Sequence, residues 1–592
     1  MSVPETSNTA LYSMPEESRL LLHHGILQNP LHSSPTLPIP LPAEIHDAAK
    51  VITFTGGNNP VLPINWRFAE SISAIKGFQG AMLNVLMKRR GDVEAYEKIE
   101  INVDHASLFI FSVLLTVIDP GHENVTLGTK DQLHKIIPDG DKFKAFDSKI
   151  SNACTNIYRT KEGKFFHLHG SLNPAIALSA LSISKTLSSD SDSMAEVVSI
   201  YASAISQYSA PQLETLMNDQ HRQAGTTCQS PQEYRDSVHG KANAHVGLYE
   251  IHHIPNETQK AGWWDNRASG TTGVQNGGGG GKLRPLQGLK IVDLSRIIAA
   301  PTISRELAEL GASVMRITSP NVTDATDLLI DLGWGKWNAY LDLKTKGGQE
   351  RLRELILEAD VVVDGYRPGV LEKYGFGKEG VLNIVKGRER GIIYVHENCY
   401  GWNGPLSGRS GWQQISDAHC GTSYEFGKAI GSDGPVTPIF PNSDYCTGAA
   451  AAAGVMHALI EQAEKGGSFV IDAALNYYSQ WLINSVGTYP EPVWESLWSE
   501  YGKLTFKASD SMMFVMIGPV MGLIKERNGG RLFSEEFFEV SENKAIGKAV
   551  RKVKPVLRFV DERVRLGYNV GFRGNGTDKA RWPEDLMTEI ID

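Results

Sequence analysis

Leu289-Lys290-Ile291-Val292-Asp293-Leu294, followed by Pro301 and by Ser313-Val314-Met315-Arg316-Ile317, is the stretch that decides the fold class. The first run is short and almost continuously apolar, as expected of a strand covered on both faces. Pro301 opens a helical pattern over 302–310, where a first-turn proline loses no hydrogen bond, and Gly311 stops it. The second apolar run follows at once. A helix over 349–358 leads into a strand at 361–363, and another strand is predicted at 392–395. Short buried strands alternating with helices predict an α/β protein with a doubly wound parallel sheet. The ligand of such a sheet lies beyond the carboxyl ends of its strands. No GxGxxG follows the first strand, so a dinucleotide reading has no support.

Outward from this core, the 592 residues amount to about four domain equivalents at ~150 residues each. A net charge of −9 gives no electrostatic footprint for nucleic acid and no polybasic patch for a membrane surface. No stretch approaches the ~20 apolar residues of a membrane helix. The five cysteines stand far apart without a CxxC pair, which reads as reduced thiols and a cytoplasmic protein, not disulfides or zinc. Scattered prolines and serines predict a flexible, mostly extended leader over 1–45. Residues 46–262 read as globular, with a helix around 67–90 and a strand at 164–169. SGTTGVQNGGGGG marks 263–284 as a flexible linker, 285–480 holds the sheet domain, and 481–592 is expected to pack on it.

The loops of the sheet domain carry a resemblance. Pro285-Leu286-Gln287-Gly288-Leu289, Ala299-Ala300-Pro301 and Leu307-Ala308-Glu309-Leu310-Gly311-Ala312 are followed by Leu341-Asp342-Leu343-Lys344-Thr345 and Ala359-Asp360-Val361-Val362-Val363. Tyr366-Arg367-Pro368-Gly369-Val370-Leu371, Gly404-Pro405-Leu406, Arg409-Ser410-Gly411 and Asp444 with Thr447-Gly448 come next in order. Over roughly 285–480 the chain thus resembles the class III CoA-transferases of the CaiB/BaiF type, a family that includes α-methylacyl-CoA racemases. The resemblance implies a Rossmann-like domain with a smaller α+β domain, in intertwined dimers where one chain closes the other's active site. An internal echo extends it. Gly80-Ala81-Met82 with Glu100-Ile101-Asn102-Val103-Asp104 parallels Gly454-Val455-Met456 with Phe469-Val470-Ile471-Asp472. Two copies fused in tandem, the first degenerate and without its early sheet, would make a homodimer or an intramolecular pseudo-dimer.

Exchanging CoA between two acids needs a carboxylate that attacks a thioester, and the resemblance gives that role to Asp444. The alanines at 449–453 and the run to 464 read as one long helix with Asp444 at its start, where free N–H groups favour an anion. For the CoA site the resemblance implies Ile297, Ile298 and Ala299 after the first strand, then Leu343 and Lys344, then Gly365, Tyr366 and Arg367. Arg316 and Lys344 are expected to neutralise CoA phosphates. Ile298 stands where the transferases often carry Gln, which weakens adenine hydrogen bonding there. Racemases place a His–Asp pair after the glycine matching Gly411; here Trp412 and Gln413 stand instead, and neither shuttles a proton. His419 reads as a packed histidine, and His167 with His169 share a strand face without a third metal ligand. The expected activity is CoA transfer from an acyl-CoA to a small carboxylic acid, with CoA as substrate and no tightly bound cofactor or metal. The alternatives are a racemase or epimerase and a non-catalytic acyl-CoA-binding protein.

Overall fold

The computed structural model describes residues 12–184, 193–265 and 282–589. The apolar runs form a seven-stranded sheet of β1 (Glu250–Ile254), β2 (Lys290–Leu294), β3 (Ser313–Thr318), β4 (Lys336–Tyr340), β5 (Val361–Asp364), β6 (Ile393–Asn398) and β7 (Ser468–Ala474). Their order is β4-β3-β2-β5-β6-β7-β1; all neighbours are parallel except β1, which runs antiparallel to β7. Val361 on β5 lies between Ile291 and Ile393, a register that lines up the strand ends. Strand alternation sorts the core into two layers. Ile291, Val363, Val395 and Ile471 face helices Ala299–Glu309 and Asn442–Lys465, whereas Val292, Val362, Tyr394 and Val470 face the leucines of helix Lys346–Glu358.

Helix Asn442–Lys465 is buried over most of its length, and its alanine run combines high helix propensity with slim side chains. Gly448 is required there because an added Cβ would collide with Thr302 Cβ and lie 2.7 Å from the carbonyl of Ala299. This contact sets the start of the 442–465 helix against the loop that follows β2.

The internal echo has a structural counterpart. Helix Phe68–Arg90, strand Ile99–Asn102 and helix Val103–Phe109 follow the same order as helix Asn442–Lys465, β7 and helix Leu475–Trp481. The two long helices pack together, with Gln79 Nε2 donating to the Ala449 carbonyl at 2.9 Å. An added Cβ at Gly80 would meet Ile99, and one at Gly454 would meet Ile471, so each glycine underlies an isoleucine of the following strand. The first unit keeps a remnant of a sheet: Ile52–Thr55 pairs parallel to Ile99–Asn102, which corrects the expectation that its early strands are gone entirely.

Other expectations are also corrected. The segment expected to be an extended leader is helical from Met14 to Leu20 and continues as a π-helix from Leu21 to Leu27. Leu21, Leu22, Ile26 and Leu27 recur on one side and bury themselves in the main core, an apolar gain that the prolines further along do not oppose. Residues 1–11 lie outside the described residues. So do 266–281 of the expected linker, but its ends are fixed. Trp264 is buried and donates to the Gln287 carbonyl at 2.9 Å, and Leu283 bridges to Val564. The C-terminal region packs on both halves: strand Lys548–Val553 pairs with Val117–Ile118 and Arg558–Phe559 with Ile99 and Glu100 of the first, while Asn575 accepts from Arg316 at 2.6 Å and Asp578 from the Asn338 amide at 2.7 Å in the second. Among the described residues no helix is long and apolar enough to cross a membrane.

Candidate active site

A cavity of about 430 Å³ opens beyond the carboxyl ends of β2, β5 and β6, beside the point where the sheet order turns from β2 to β3 on one side and to β5 on the other. Its base is fixed by Asp293 at the end of β2. This buried carboxylate accepts from Lys336 Nζ at 2.9 Å, from Ser304 Oγ at 2.6 Å, and from Ser295 Oγ. The next residues, Arg296, Ile297, Ile298 and Ala299, line the cavity. Ile297 has φ = +74°, an unfavourable conformation for a β-branched residue. Arg296 helps to hold the loop in that shape through a 2.6 Å bond from Nη1 to the Thr323 carbonyl.

The loop after β5 supplies Gly365, Tyr366 and Arg367. Gly365 admits no side chain, since a Cβ would stand 2.5 Å from Ala300 Cβ and 2.9 Å from Ser295 Cβ. Arg296 lies over the Tyr366 ring at 5.0 Å, and Arg367 donates to the Arg222 carbonyl at 3.0 Å. Burial, with Arg296 and Arg222 as like-charged neighbours, lowers the Arg367 pKa from its ordinary value. Leu343 and Lys344 border an adjoining recess of about 120 Å³ that shares Val322, Tyr366 and Val370 with the main cavity.

Asp444 is the third residue of helix Asn442–Lys465 and lines the same cavity. It is 9% exposed, and its carboxylate has no hydrogen bond or cation partner among the described residues. Burial pushes its pKa up to about 7. The first half of the chain contributes Phe143, Ser171, Leu172, Asn173, Ile176 and Gln223 to the wall opposite the sheet.

The structure therefore brings Asp444, Ile297, Ile298, Ala299, Gly365, Tyr366 and Arg367 to one cavity and Leu343 with Lys344 to its annex. It does not bring Arg316 there. That guanidinium is buried under the sheet end, donating to Asp324 at 2.7 Å and to Asn575 at 2.6 Å, so its charge is already engaged. Arg296, one residue before the expected trio, is the cation that the loop presents instead; its place next to Ile297 was the signal available in the sequence.

Trp412 lines the cavity, stacked on His169 at 4.9 Å, and Gln413 is buried with its amide donating to Asp417. His419 is buried outside the cavity lining, bonded to Asn476 at 3.0 Å, and burial lowers its pKa to about 3. His167 and His169 are both buried, and burial lowers the pKa of each. His252 turns to Asp472 at 3.2 Å while His253 turns to the Gly466 carbonyl at 3.0 Å. Glu250, His252 and Asp472 bring their ligand atoms together, but none of them lines the cavity.

The sequence profile of CoA-transferase family III matches residues 286–496. An acetyl-coenzyme A transferase of Hypoxylon pulicicidum is 45% identical over 581 residues, spanning 98% of this chain and 95% of the relative. An acyl-CoA transferase of Gibberella moniliformis is 30% identical over 528 residues, 88% of each chain. The human succinyl-CoA:glutarate CoA-transferase is 30% identical over 205 residues, covering 33% of this chain and 45% of the relative. With the two fungal relatives matched along nearly their whole length and the family's motifs gathered around one cavity, the chain belongs to CoA-transferase family III and is an acyl-CoA transferase.

Proposed function

We propose that the protein moves CoA from an acyl-CoA donor to a small carboxylic acid through covalent intermediates on Asp444. The observation that carries this reading is a carboxylate with no partner among the described residues, held at a helix start in a cavity. Ion-paired aspartates are stabilised as anions; this one is not, and its lone pairs face the space where a substrate would sit. In the first half-reaction an Asp444 oxygen attacks the thioester carbonyl, the C–S bond breaks, and CoA leaves as thiolate from an aspartyl–acyl anhydride. The thiolate then attacks the aspartyl carbonyl, releasing the donor's acid and leaving an aspartyl–CoA thioester. The second half-reaction runs the same steps in reverse with the acceptor acid. No proton is consumed, and every bond broken has a counterpart formed.

The loop 297–299 and the turn 365–367 supply the walls along which the CoA chain would lie. Arg296, Arg367 and, in the annex, Lys344 are the cations that would meet its phosphates. Closure of the site is read as intramolecular, because Phe143, Ser171, Leu172, Asn173, Ile176 and Gln223 of the same chain line the opposite wall. The name of the Hypoxylon relative makes acetyl-CoA the first donor to test. Racemisation is disfavoured by Trp412 at the cavity wall, where that chemistry needs a second base.

The test is exchange of isotopically labelled CoA between donor and product, with hydroxylamine added during turnover. An adduct on the peptide containing Asp444, and exchange that rises with pH through about 7 as the carboxylate ionises, are expected. Exchange without any adduct on that peptide would refute the reading, and α-hydrogen exchange from deuterated water would favour racemisation.

A further inference from the structure

A second acid faces the same cavity. Glu397 stands near the carboxyl end of β6, and strand alternation places it with Ile393 and Val395, on the side covered by the helix that carries Asp444. It lines the cavity, and its remaining exposure opens there. Among the described residues its carboxyl has no hydrogen-bond or ion-pair partner. None of the three arginines of the cavity wall bonds Glu397: Arg296 donates to the Thr323 carbonyl, Arg367 donates to the Arg222 carbonyl, and Arg409 pairs with Glu214 and, at 3.6 Å, Asp219.

The groups that face Glu397 are acidic or neutral. Asp444 comes from the long helix, Asp364 from the end of β5, and the Cys399 thiol from the loop after β6. Asp364 already accepts from Tyr394 Oη at 2.7 Å and from the Tyr366 amide at 2.9 Å. Burial, then repulsion by Asp444 and Asp364, raises the Glu397 pKa well above the carboxylate range. Two carboxyl groups that face one cavity with no pairing cation among the described residues resist being ionised together, and with Asp444 acting as the nucleophile the proton they retain belongs to Glu397. A protonated carboxyl carries an O–H donor, and a donor left unpaired in a protein wall is costly. It is satisfied when the cavity fills.

What the transferase reading brings next to Asp444, in either direction, is a free carboxylate. Resting on that reading, we infer that Glu397 positions the acceptor: its carboxyl O–H donates to one oxygen of the incoming carboxylate while the other oxygen attacks the aspartyl–CoA carbonyl. The new C–O bond forms as the C–S bond breaks, CoA leaves as thiolate, and the proton stays on Glu397. An O–H···O⁻ contact is among the stronger hydrogen bonds. An ionised glutamate in the same place would repel the acceptor.

The experiment compares the wild type with Glu397→Leu and Glu397→Gln, using acetyl-CoA and a labelled monocarboxylate as acceptor. Glu397→Leu is expected to raise the acceptor KM by about tenfold or more, the order of one hydrogen bond to a charged group. KM for acetyl-CoA and hydroxylamine trapping of the acyl group on Asp444 should be unchanged. Glu397→Gln keeps an N–H donor and should recover most of the loss. It should also abolish the fall in acceptor use expected of the wild type once Glu397 ionises. An unchanged acceptor KM in the Leu variant, with the adduct still trapped, would overturn the inference. If the Leu variant does not fold, identical alkaline limbs in the wild type and the Gln variant would overturn it. Absence of the adduct in the wild type would instead indict the transferase reading itself.

Discussion

Helix Asn442–Lys465 and helix Phe68–Arg90 each carry a carboxylate at the third residue, Asp444 in one and Glu70 in the other. Their surroundings differ. Asp444 looks into a cavity and touches no donor among the described residues. Glu70 is fully buried and accepts from Tyr12 Oη and, at 3.0 Å, from Tyr489 Oη. Arg67 stands beside it, bonded to the same Tyr12 at 3.1 Å and to Glu17 at 2.5 Å. The N-terminal helix at Met14–Leu20, which supplies Glu17, packs against the start of the first unit. Equivalent positions in a repeated unit thus hold the same kind of group, and the neighbours decide whether it can react. A plugged carboxylate braces the fold, whereas an open one is exposed to substrate.

The comparison breaks first at Asp444. Asp444→Asn should lower CoA exchange by at least ~10³-fold, since the amide oxygen is a far weaker nucleophile, while acetyl-CoA still binds in a calorimetric titration. The same change should stabilise the fold. Because burial raises the Asp444 pKa from 3.8 to about 7, the native state resists ionisation that the unfolded chain undergoes freely. The resulting penalty is absent below pH 4, grows between pH 4 and 7, and is full above 7. Denaturant unfolding should therefore show the variant gaining up to a few kcal/mol, roughly, above pH 7 and nothing near pH 4. An active variant, or a gain confined to low pH, would remove the contrast with Glu70.

The two units are also joined by charge. Lys76 of the first unit pairs with Glu306, both nearly inaccessible, and sits over the Phe109 ring at 4.3 Å. Beside them Arg305 binds Asp331 at 2.6 Å, and Asp331 accepts from Tyr445 Oη at 2.9 Å and from Ser112 Oγ at 2.8 Å. Tyr445 follows Asp444, so this buried network links the first unit to the helix start at the candidate site. Lys76→Met should leave Glu306 with only Arg305, 3.8 Å away and already bound to Asp331, and cost ~3–5 kcal/mol in denaturant unfolding. Lys76→Met combined with Glu306→Leu should recover most of it. A single variant as stable as the wild type would mean that the halves are held by apolar packing alone.

What the sequence reveals follows how local each determinant is. β2, β3, β5 and β6 are legible because strands covered on both faces read as unbroken apolar runs such as Val361-Val362-Val363. Asp444 is legible because the alanines after it declare a helix and place it at the start. Arg316 misleads because its partners, Asp324 and Asn575, are brought to it only by the fold, the latter from the C-terminal region. Glu397 gives no signal: an acid at a strand end is ordinarily solvated, and only the cavity and the lack of a pairing cation among the described residues single it out. The cavity wall from Ser171 to Gln223 has no motif, and the buried helix from Met14 is hidden by the proline-rich run that follows it.

The smallest expected effect belongs to Glu70. Attack on a thioester needs reacting atoms held ~3–3.5 Å apart, and a carboxylate without a positioned substrate gains none of that advantage. Glu70 has tyrosine hydroxyls where a substrate would have to lie, and it lines neither the cavity nor its annex. Glu70→Gln keeps the size of the side chain and one acceptor oxygen. The second tyrosine hydroxyl then faces an N–H group, a loss of about 1 kcal/mol in denaturant unfolding. CoA exchange should stay within about twofold of the wild type, because the hydrogen bonds weakened lie outside the cavity lining. A loss approaching that of Asp444→Asn would mean that the first unit contributes a working carboxylate, and the contrast between the plugged and the open helix start would fail.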